Sequence, residues 1–299
     1  MNIFTLTLNP AFDLHYTIDN FKPYGENYVY KSLTQSAGKG INISRALKSA
    51  GVENTAYIIV GKNDFESYTR NLDVEYKYYL AKGDVRKNIT VHTKDMPETR
   101  ISLDDFCVDK SVFEKLKDDL YSVCDESTIV TFTGRLPKGI DKQEAIDMLV
   151  DIKKTGAKIV CDCNSFTFED LESIKPWLIK PNETEIKQLY AGDVILAGEK
   201  LQKSGVENVI ISMGGEGVLF FSEKGMLEVK PPKINAVSTI GAGDSTIAGF
   251  IASYVRGMKI ENCVKYAVAF GTAACLEDGS NPPDIIKVED IYMNLREHN

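Results

Sequence analysis

The clearest chemical signal lies in a short glycine-containing segment in the last fifth of the chain. Gly241, Ala242 and Gly243 are followed at once by Asp244, and the apolar periodicity of residues 247–255 predicts a helix. Two glycines before a helix let main-chain N–H groups converge on an anion at the positive end of the helix dipole. A phosphoryl group would fit there, and Asp244 could accept the proton of an attacking hydroxyl. A helix-start carboxylate beside a flexible turn is the simpler interpretation of this segment taken alone.

A second glycine turn contains Gly38 and opens a helix predicted over residues 38–50. Lys39 and Asn42 lie three residues apart, so they project from one face of the first turn. An ammonium and an amide on one face can bind sugar hydroxyls or phosphate. The segment is not a Walker A motif, because Gly-x-x-x-x-Gly-Lys-Ser/Thr is absent, and a lone Gly-Lys-Gly usually indicates only a turn.

The segment from Lys180 to Glu185 supports two interpretations. Asn182 and Glu185 have the spacing of a helix capping box, which by itself accounts for both residues. The same side-chain oxygens could instead support a hydrated Mg²⁺ ion and nucleotide phosphates, since Mg²⁺ prefers oxygen ligands and keeps several waters. The sequence leaves both interpretations open.

Positive charge stands out at a few positions of an otherwise acidic chain. Lys plus Arg number 35 against 43 Asp plus Glu, a net charge of −8, which argues against a nucleic-acid or anionic-membrane surface. An anionic ligand must then be held by a local basic cluster. Arg86, Lys87 and Arg135 would form one with Lys39 if the fold brings them together, and solvated surface charge is the alternative.

Composition and length indicate a folded protein with a sizeable core. The 299 residues are 43% hydrophobic and 26% charged, as in ordinary globular proteins. The sequence has no signal-peptide pattern and no run of about 18 uncharged apolar residues, so we expect a cytoplasmic protein with no membrane partner. The six cysteines are expected to be reduced thiols. Three histidines, spread widely along the sequence, do not favour a histidine-based metal site or catalytic triad.

An alternation of strands and helices is predicted to position these residues. Apolar strand-like runs at residues 1–8, 127–132, 157–161 and 208–212 alternate with amphipathic stretches such as 141–155. This pattern predicts βαβ units and therefore an α/β fold, a mostly parallel sheet with helices on both faces.

Two stretches interrupt this alternation. Residues 14–33 and 88–102 are rich in Tyr, Thr, Val and Ile, alternate apolar with polar positions, and contain turn signals at residues 22–25 and 95–97. They are predicted to form short antiparallel strands inserted into the core, as a lid or as a peripheral decoration or dimer contact, and the two interpretations are compatible. We therefore divide the chain into a core of residues 1–12, 34–86 and 103–299 and a small lid sheet of residues 13–33 and 87–102.

Seven segments occur in a fixed order along the chain. They are Thr7-Leu8-Asn9-Pro10-Ala11-Phe12-Asp13, Gly38-Lys39-Gly40-Ile41-Asn42, Arg86-Lys87-Asn88, Leu136-Pro137-Lys138-Gly139, Lys180-Pro181-Asn182-Glu183-Thr184-Glu185, Ser212-Met213-Gly214-Gly215-Glu216-Gly217 and Gly241-Ala242-Gly243-Asp244. Because it contains these segments in this order, the chain closely resembles the ribokinase-like (PfkB) family of carbohydrate kinases, in particular its branch of 1-phosphofructokinases and tagatose-6-phosphate kinases. The resemblance spans nearly the whole chain.

The resemblance implies a doubly wound α/β core, a β-sheet lid that often helps to form a homodimer, and Mg²⁺-supported transfer of the γ-phosphoryl group of ATP to a sugar hydroxyl. By position, Asp244 is the implied base, with an anion hole at Gly241, Ala242 and Gly243. The residues implied to bind the sugar phosphate are Asp13, Gly38, Lys39, Asn42, Arg86 and Asn88, to which charge adds Arg135. The residues implied to bind the nucleotide are Lys180, Asn182, Glu185, Ser212, Gly214 and Gly217, with Asn182 and Glu185 also supporting Mg²⁺ through water.

Several positions depart from the family pattern, mainly on the acceptor and lid side. Ala37 replaces the first glycine of Gly-Gly-Lys-Gly, Arg135 replaces the usual Ser before Leu-Pro, and residues 61–84 form a shorter segment than in most relatives. Residues 99–102 and 161–165 also differ. These departures leave phosphoryl transfer as the expectation and leave the acceptor open.

We expect the acceptor to be a phosphorylated ketohexose, because Arg86, Lys87 and Arg135 carry more positive charge than a neutral sugar needs. Fructose 1-phosphate, phosphorylated at its 6-hydroxyl to a bisphosphate, is the first choice. The alternatives are a tagatose 6-phosphate kinase, another sugar or nucleoside kinase of the family, and a catalytically silent sugar-phosphate sensor. A nicotinamide-dependent dehydrogenase is less favoured, because no Gly-x-Gly-x-x-Gly follows the first strand.

Overall fold

A nine-stranded sheet and a separate four-stranded sheet organise the chain. The structure is a computed structural model that describes residues 1–94, 98–103, 106–190 and 192–297. Its strands are β1 (Asn2–Thr7), β2 (Ala11–Thr17), β3 (Lys31–Ala37), β4 (Thr55–Gly61), β5 (Tyr76–Ala81), β6 (Arg86–His92), β7 (Thr99–Ser102), β8 (Thr128–Thr133), β9 (Lys158–Asp162), β10 (Leu178–Ile179), β11 (Asn208–Ser212), β12 (Val218–Ser222) and β13 (Gly225–Val229).

The larger sheet is parallel except at one edge. Its order is β13-β12-β11-β10-β9-β8-β1-β4-β5; the strands from β11 to β5 pair in parallel, and β12 and β13 add an antiparallel hairpin. Parallel strands covered on both faces have continuous apolar runs rather than an alternating pattern. In β8 all six residues are buried. The mostly parallel sheet predicted from the sequence is therefore confirmed.

Helices cover both faces of this sheet. They are α1 (Lys39–Ser49), α2 (Phe65–Thr69), α3 (Lys110–Tyr121), α4 (Lys142–Lys154), α5 (Phe168–Ile174), α6 (Glu183–Leu189), α7 (Val194–Lys203), α8 (Ala242–Val255), α9 (Ile260–Ala274) and α10 (Ile285–Glu297). α1 and α8–α10 share one buried cluster with the sheet, and α3–α7 share another that includes Leu116 and Leu149. Within the described residues, no helix combines the length and the apolar character needed to cross a bilayer.

Local sequence sets where the helices begin and end. Asp141 is the N-cap of α4, and its carboxylate accepts hydrogen bonds from the amides of Gln143 and Glu144. After α1, Gly51 has a φ of +70°, a left-handed conformation that glycine adopts at low cost. The helices predicted over residues 141–155 and 38–50 are confirmed within one residue at each end.

α8 is a central helix that is buried on nearly all sides. Its residues from Asp244 to Ser253 are all buried, and Gly249 lets it approach α9 closely at Phe270. Trp177, the single tryptophan of the chain, packs between β10 and α8, with its ring centroid 4.6 Å from that of Tyr254. Because the helix is held all round, the position of its first turn is fixed.

The small sheet, in the order β3-β2-β6-β7, is formed by two separate segments of the chain. β2 pairs with β3 and β6 pairs with β7 in antiparallel fashion, but β2 and β6 run parallel. The expectation of antiparallel strands is therefore wrong for the middle pair, because β2 and β6 continue from β1 and β5, which run in the same direction. The turn predicted at residues 95–97 lies outside the described residues.

The register of the small sheet separates a polar face from an apolar face. Asp13 lies opposite Asn88, whereas the neighbouring row contains Leu14, Ile89 and Ile101. Successive residues of a strand point to opposite faces, so these two rows lie on different sides of the sheet. Ile101 on the apolar face is 51% exposed.

Replacing Gly249 with Ala is expected to destabilise the protein. A Cβ at this position would lie 2.6 Å from the Cβ of Phe270, so α8 and α9 would have to separate. Overpacking typically costs about 1–3 kcal/mol, against a gain of ~1 kcal/mol for Ala over Gly in a helix. We expect a net loss of stability on the order of 1 kcal/mol, measured as a lower midpoint of thermal or urea unfolding.

Glu172→Ala, at an exposed position of α5, is the matched control and should leave the midpoint unchanged. A Gly249→Ala protein as stable as the wild type would contradict the close approach of the two helices.

Candidate active site

Asp244 lies in the first turn of α8 and faces the first turn of α1. Asp244 is 7% exposed, and Asn42 Nδ2 donates a hydrogen bond to Asp244 Oδ2 at 2.8 Å. α1 begins directly against the carboxyl end of β1, since a Cβ at Gly38 would lie 2.4 Å from Thr7 Cγ2. The two glycine turns predicted to carry chemistry therefore meet in one crevice, although Asn42 and Asp244 are 202 positions apart.

The first turn of α8 has the features of an anion-binding site. Gly241 precedes it with a φ of +76°, a left-handed conformation that favours glycine, so the chain can reverse directly before the helix. Lys180 is 5% exposed, and a Cβ at Gly243 would lie 2.9 Å from its Nζ. The amide of Ala242 makes only a long hydrogen bond of 3.5 Å to the Thr239 carbonyl. Helix-terminal amides and a buried ammonium together make this turn electropositive.

A second buried carboxylate, Asp162, ends β9 beside the first. Lys39 Nζ donates to Asp162 Oδ2 at 3.0 Å. Burial lowers the pKa of Lys39, but the charges of Asp162 and Asp244 outweigh burial and the pKa is raised. Lys39 therefore stays cationic between two carboxylates. Asp162 was not among the site residues predicted from the sequence. The available signal was its place at the carboxyl end of an apolar strand, where ligand-binding side chains of parallel sheets collect.

The pKa of Asp244 is raised to about 6. Burial is the main cause and the negative charge of Asp162 adds to it, while the hydrogen bond from Asn42 and the charges of Lys39 and Lys180 act in the opposite direction. A carboxylate with a pKa close to neutrality can take up a proton and release it again near pH 7. Asp244 is thus suited to act as a general base.

The residues predicted to bind nucleotide lie at the ends of two adjacent strands. Lys180 and Asn182 follow β10, Ser212 ends β11, and Asn182 pairs with Ser212 in a parallel bridge. Gly214 and Gly217 lie in the tight turn between β11 and β12. Lys180 links this edge to the first turn of α8, so the nucleotide residues and Asp244 adjoin one another.

Asn182 and Glu185 form the capping box considered in the sequence analysis. Asn182 Oδ1 accepts from the Glu185 amide, and Glu185 Oε2 accepts from the Asn182 amide, each at 2.8 Å. The charge of Glu185 reaches Lys39 and contributes to the raised pKa of that lysine. The described residues contain no group of three or more His, Cys, Asp or Glu that could hold a metal by themselves. This donor set fits a Mg²⁺ ion that takes most of its ligands from phosphates and water.

The sugar-phosphate residues predicted in the small sheet form a hydrogen-bonded row. Arg86 Nη1 donates to Asn88 Oδ1 at 2.8 Å, and Asn88 Nδ2 donates to Asp13 Oδ1 at 2.8 Å. Arg86 Nε also donates to Oδ1 of Asn9 at 3.0 Å. Asn9 belongs to a segment that carries the family resemblance, but no role was predicted for it from the sequence. The structure thus brings Asp13, Arg86 and Asn88 together on one face.

The other predicted basic residues are more exposed. Lys87 is exposed and projects from the opposite face of β6 to Arg86, so it does not join this row. Arg135 lies exposed in the loop after β8, and its part in a basic cluster stays a prediction.

The ring nitrogens His15 Nδ1 and His92 Nε2 lie 2.9 Å apart in the small sheet, despite their separation in sequence.

Comparison with known proteins identifies the family. The sequence profile of the pfkB family carbohydrate kinases matches residues 12–286. A 1-phosphofructokinase from Borreliella burgdorferi is 33% identical to this chain, over 98% of the chain and 100% of the relative. A 1-phosphofructokinase from Haemophilus influenzae is 30% identical, over 99% of the chain and 97% of the relative.

Solved structures agree with this assignment. Phosphofructokinase-2 from Escherichia coli in complex with potassium has a TM-score of 0.90 to this chain at 25% identity, and the match covers 99% of each chain. A ribokinase from Thermotoga maritima, at 21% identity, has a TM-score of 0.77 over 98% of this chain and 99% of its own, which shows a shared fold. The ribokinase-like fold predicted from the sequence is confirmed. With its profile match over most of its length and its full-length relatives, the chain belongs to the pfkB family of carbohydrate kinases.

Proposed function

We propose that this protein transfers the γ-phosphoryl group of ATP to the 6-hydroxyl of fructose 1-phosphate in the cytoplasm, giving fructose 1,6-bisphosphate. The observation that carries the proposal is the buried Asp244 carboxylate, held by Asn42 at the electropositive start of α8. Phosphoryl transfer to a hydroxyl needs an acceptor for the proton and positive charge around the migrating group. The first turn of α8 supplies the proton acceptor, Asp244, and adjoins the positive charge of Lys180.

Asp244 is the general base of the proposed mechanism. As the acceptor oxygen forms its bond to the γ-phosphorus, its proton passes to the Asp244 carboxylate. The bond between that phosphorus and the β–γ bridging oxygen breaks, and ADP leaves. Asn42 holds one carboxylate oxygen and so orients the group. The amides of Ala242 and Gly243, together with Lys180, stabilise the negative charge of the migrating group.

Asn182 and Glu185 are assigned to the support of Mg²⁺ and the nucleotide phosphates through water. When bound, Mg²⁺ neutralises charge on the β- and γ-phosphates. The reciprocal hydrogen bonds of the capping box keep the Glu185 side chain in a fixed place at the start of α6. Ser212, Gly214 and Gly217 line the nucleotide side of the same edge.

The choice of acceptor rests on charge and on relatives. The Arg86 guanidinium, held in place by acceptors on both sides, is suited to a phosphate already present on the sugar. Relatives that are 28–33% identical over nearly the whole chain are named 1-phosphofructokinases. A tagatose 6-phosphate kinase or another sugar or nucleoside kinase would share the mechanism and differ in the acceptor, whereas a silent sensor would bind sugar phosphate without turnover.

The small sheet is proposed to act as a lid and as the contact between two copies of the chain. Its polar face carries Asp13, Arg86 and Asn88, so closure over the core would exclude water that otherwise hydrolyses ATP. Its apolar face presents Ile101 to solvent, and burial of that surface against a second copy would favour a homodimer. Because the substrate and the second copy would contact opposite faces of the small sheet, a homodimer would leave the substrate-binding face free.

Initial rates with ATP, Mg²⁺ and a series of acceptors test the proposed reaction. We expect the highest kcat/KM with fructose 1-phosphate, above fructose 6-phosphate, tagatose 6-phosphate and ribose. Asp244→Asn keeps the shape of the side chain and an acceptor for Asn42 but removes the base. Its kcat should fall about 10²- to 10⁴-fold, with both KM values nearly unchanged.

Asp290→Asn, at an exposed position of α10, is the matched control and should match the wild type. Turnover of Asp244→Asn within a few fold of the wild type would contradict the assignment of the base. A preference for tagatose 6-phosphate would favour that alternative acceptor, and sugar-phosphate binding with no ATP consumption would favour the silent sensor.

Asp244→Asn is also expected to be more stable than the wild type near pH 7. Burial in the first place, and then Asp162, raise the pKa of Asp244 from 3.8 to about 6, so the folded protein binds this proton more tightly than the unfolded chain. The resulting stability is complete below about pH 4 and is lost as the pH rises through about 6.

Removing the charge should therefore raise the free energy of unfolding at pH 7 by on the order of 1–3 kcal/mol. Thermal unfolding across this pH range measures the effect, and the gap between the two proteins should close near pH 4. A variant that is less stable than the wild type at pH 7 would be inconsistent with a raised pKa.

Ile101→Glu is expected to separate the proposed dimer, because it places a charge in the apolar face of the small sheet. Light scattering should give twice the 33.2 kDa chain mass for the wild type and the single-chain mass for the variant. Met293→Glu is the matched control, since Met293 on α10 is 49% exposed, and it should remain dimeric. A wild-type protein of single-chain mass would disprove the proposed association.

A further inference from the structure

Asn9 is nearly buried where the chain crosses from the larger sheet to the small one. It follows β1, precedes β2, and is 6% exposed. Its Oδ1 accepts from Arg86 Nε at 3.0 Å, and its main-chain carbonyl accepts from Arg86 Nη2 at 3.4 Å. Asn9 therefore holds the Arg86 guanidinium on one side, while Asn88 holds it on the other.

The orientation of the Asn9 amide follows from hydrogen-bond chemistry. A guanidinium has donors only, so the amide oxygen must face Arg86 and the amide nitrogen must point elsewhere. Among the described residues, no atom accepts a hydrogen bond from Asn9 Nδ2, although it is buried. Buried donors almost always have a partner, because an unmade hydrogen bond destabilises the folded state. The fold alone therefore does not explain this donor.

Two other buried polar atoms, at the end of β1 and in the first turn of α1, share this property. Within the described part of the chain, Thr7 Oγ1 and Asn42 Oδ1 also have no hydrogen-bond partner. Thr7 ends β1, two residues before Asn9, and Asn42 is the residue that holds Asp244. Buried polar groups without partners near a binding crevice are typical of a site whose ligand completes their hydrogen bonds.

We propose that Asn9 is a substrate-binding residue, whose Nδ2 donates a hydrogen bond to an oxygen of the phosphate that the acceptor sugar already carries. The inference rests on the proposed function and deepens it. Asn9 Nδ2 and Asn9 Oδ1 belong to the same side-chain amide, and Oδ1 binds Arg86. Nδ2 therefore lies close to the Arg86 guanidinium, which is proposed to pair with the phosphate of the sugar. Phosphate oxygens accept hydrogen bonds from both groups, and the Asn9 amide thereby serves the guanidinium and the ligand at once.

Asn9→Asp and Asn9→Leu together test the donor, because both lose the Nδ2–H group, Asp keeps an oxygen for Arg86, and Leu adds no negative charge beside the phosphate. The KM for fructose 1-phosphate should rise about 10- to 100-fold, as for a lost hydrogen bond to a charged group, while the KM for ATP stays unchanged. With fructose, which lacks the phosphate, the variants and the wild type should have similar kcat/KM. An unchanged KM for the sugar phosphate, or an equal loss with fructose, would overturn the proposal.

A double-mutant cycle with Arg86→Ala separates direct binding from an effect through Arg86. The cycle uses Asn9→Leu, which removes the donor without adding a charge. If Nδ2 contacts the phosphate, Asn9→Leu will raise the KM further in the Arg86→Ala background. If the substitution at Asn9 leaves the KM unchanged in the Arg86→Ala background, Asn9 acts only by positioning Arg86 and the proposed contact is refuted. Asn9→Ser, which also removes the amide, replaces Asn9→Leu in the cycle should the latter fail to fold.

Thr131→Val is the matched control, since Thr131 Oγ1 on β8 is likewise buried without a partner among the described residues but lies outside the proposed site. It should leave every KM unchanged. Fructose 1-phosphate added without ATP should raise the melting temperature of the wild type and of Thr131→Val at concentrations about 10- to 100-fold lower than those that raise the melting temperature of Asn9→Asp. This binding measurement does not require turnover, so failure of the proposed reaction can be told apart from failure of the Asn9 contact.

Discussion

The unfavourable burial of the Asp244 charge is the constraint on which the site depends. A carboxylate removed from water is destabilised unless neighbouring groups compensate, and here compensation is incomplete because Asp162 opposes Lys39 and Lys180. The groups that surround Asp244 come from α1, β9 and the end of β10. Only a parallel sheet brings so many strand ends and helix starts to one edge. The doubly wound architecture is therefore the means by which distant residues are assembled around one carboxylate.

Features determined by nearby residues could be predicted from the sequence. The start of α4 at Asp141 and the capping box of Asn182 with Glu185 depend on residues within four positions of each other. For the same reason, local patterns predicted part of the core: strands at residues 1–8, 127–132, 157–161 and 208–212, and helices over residues 38–50 and 141–155. The residues that these elements bury recur with the period of a helix or a strand, and this period can be recognised in the sequence.

Features determined by contacts across the chain could not be predicted in this way. Lys39 and Asp162 are 123 positions apart, and Asn9 and Arg86 are 77 positions apart. Their pairing depends on strand register, which no local pattern specifies. The parallel pairing of β2 with β6 escaped prediction too, because alternation of apolar and polar residues is the same in both strand directions. Resemblance to a family supplied part of this long-range information, for Lys39, Asn42 and Asp244, but assigned nothing to Asp162 or Asn9.

The position of Trp177 gives the molecule a built-in optical reporter. Its indole ring packs at a tilt against Tyr254 and Phe250 of α8, the helix whose other end carries Asp244, and the chain has no second tryptophan. Tryptophan emission from the native chain therefore arises at one boundary, between the start of β10 and the buried helix α8. Any rearrangement that loosens this helix would change the spectrum without a dye or label.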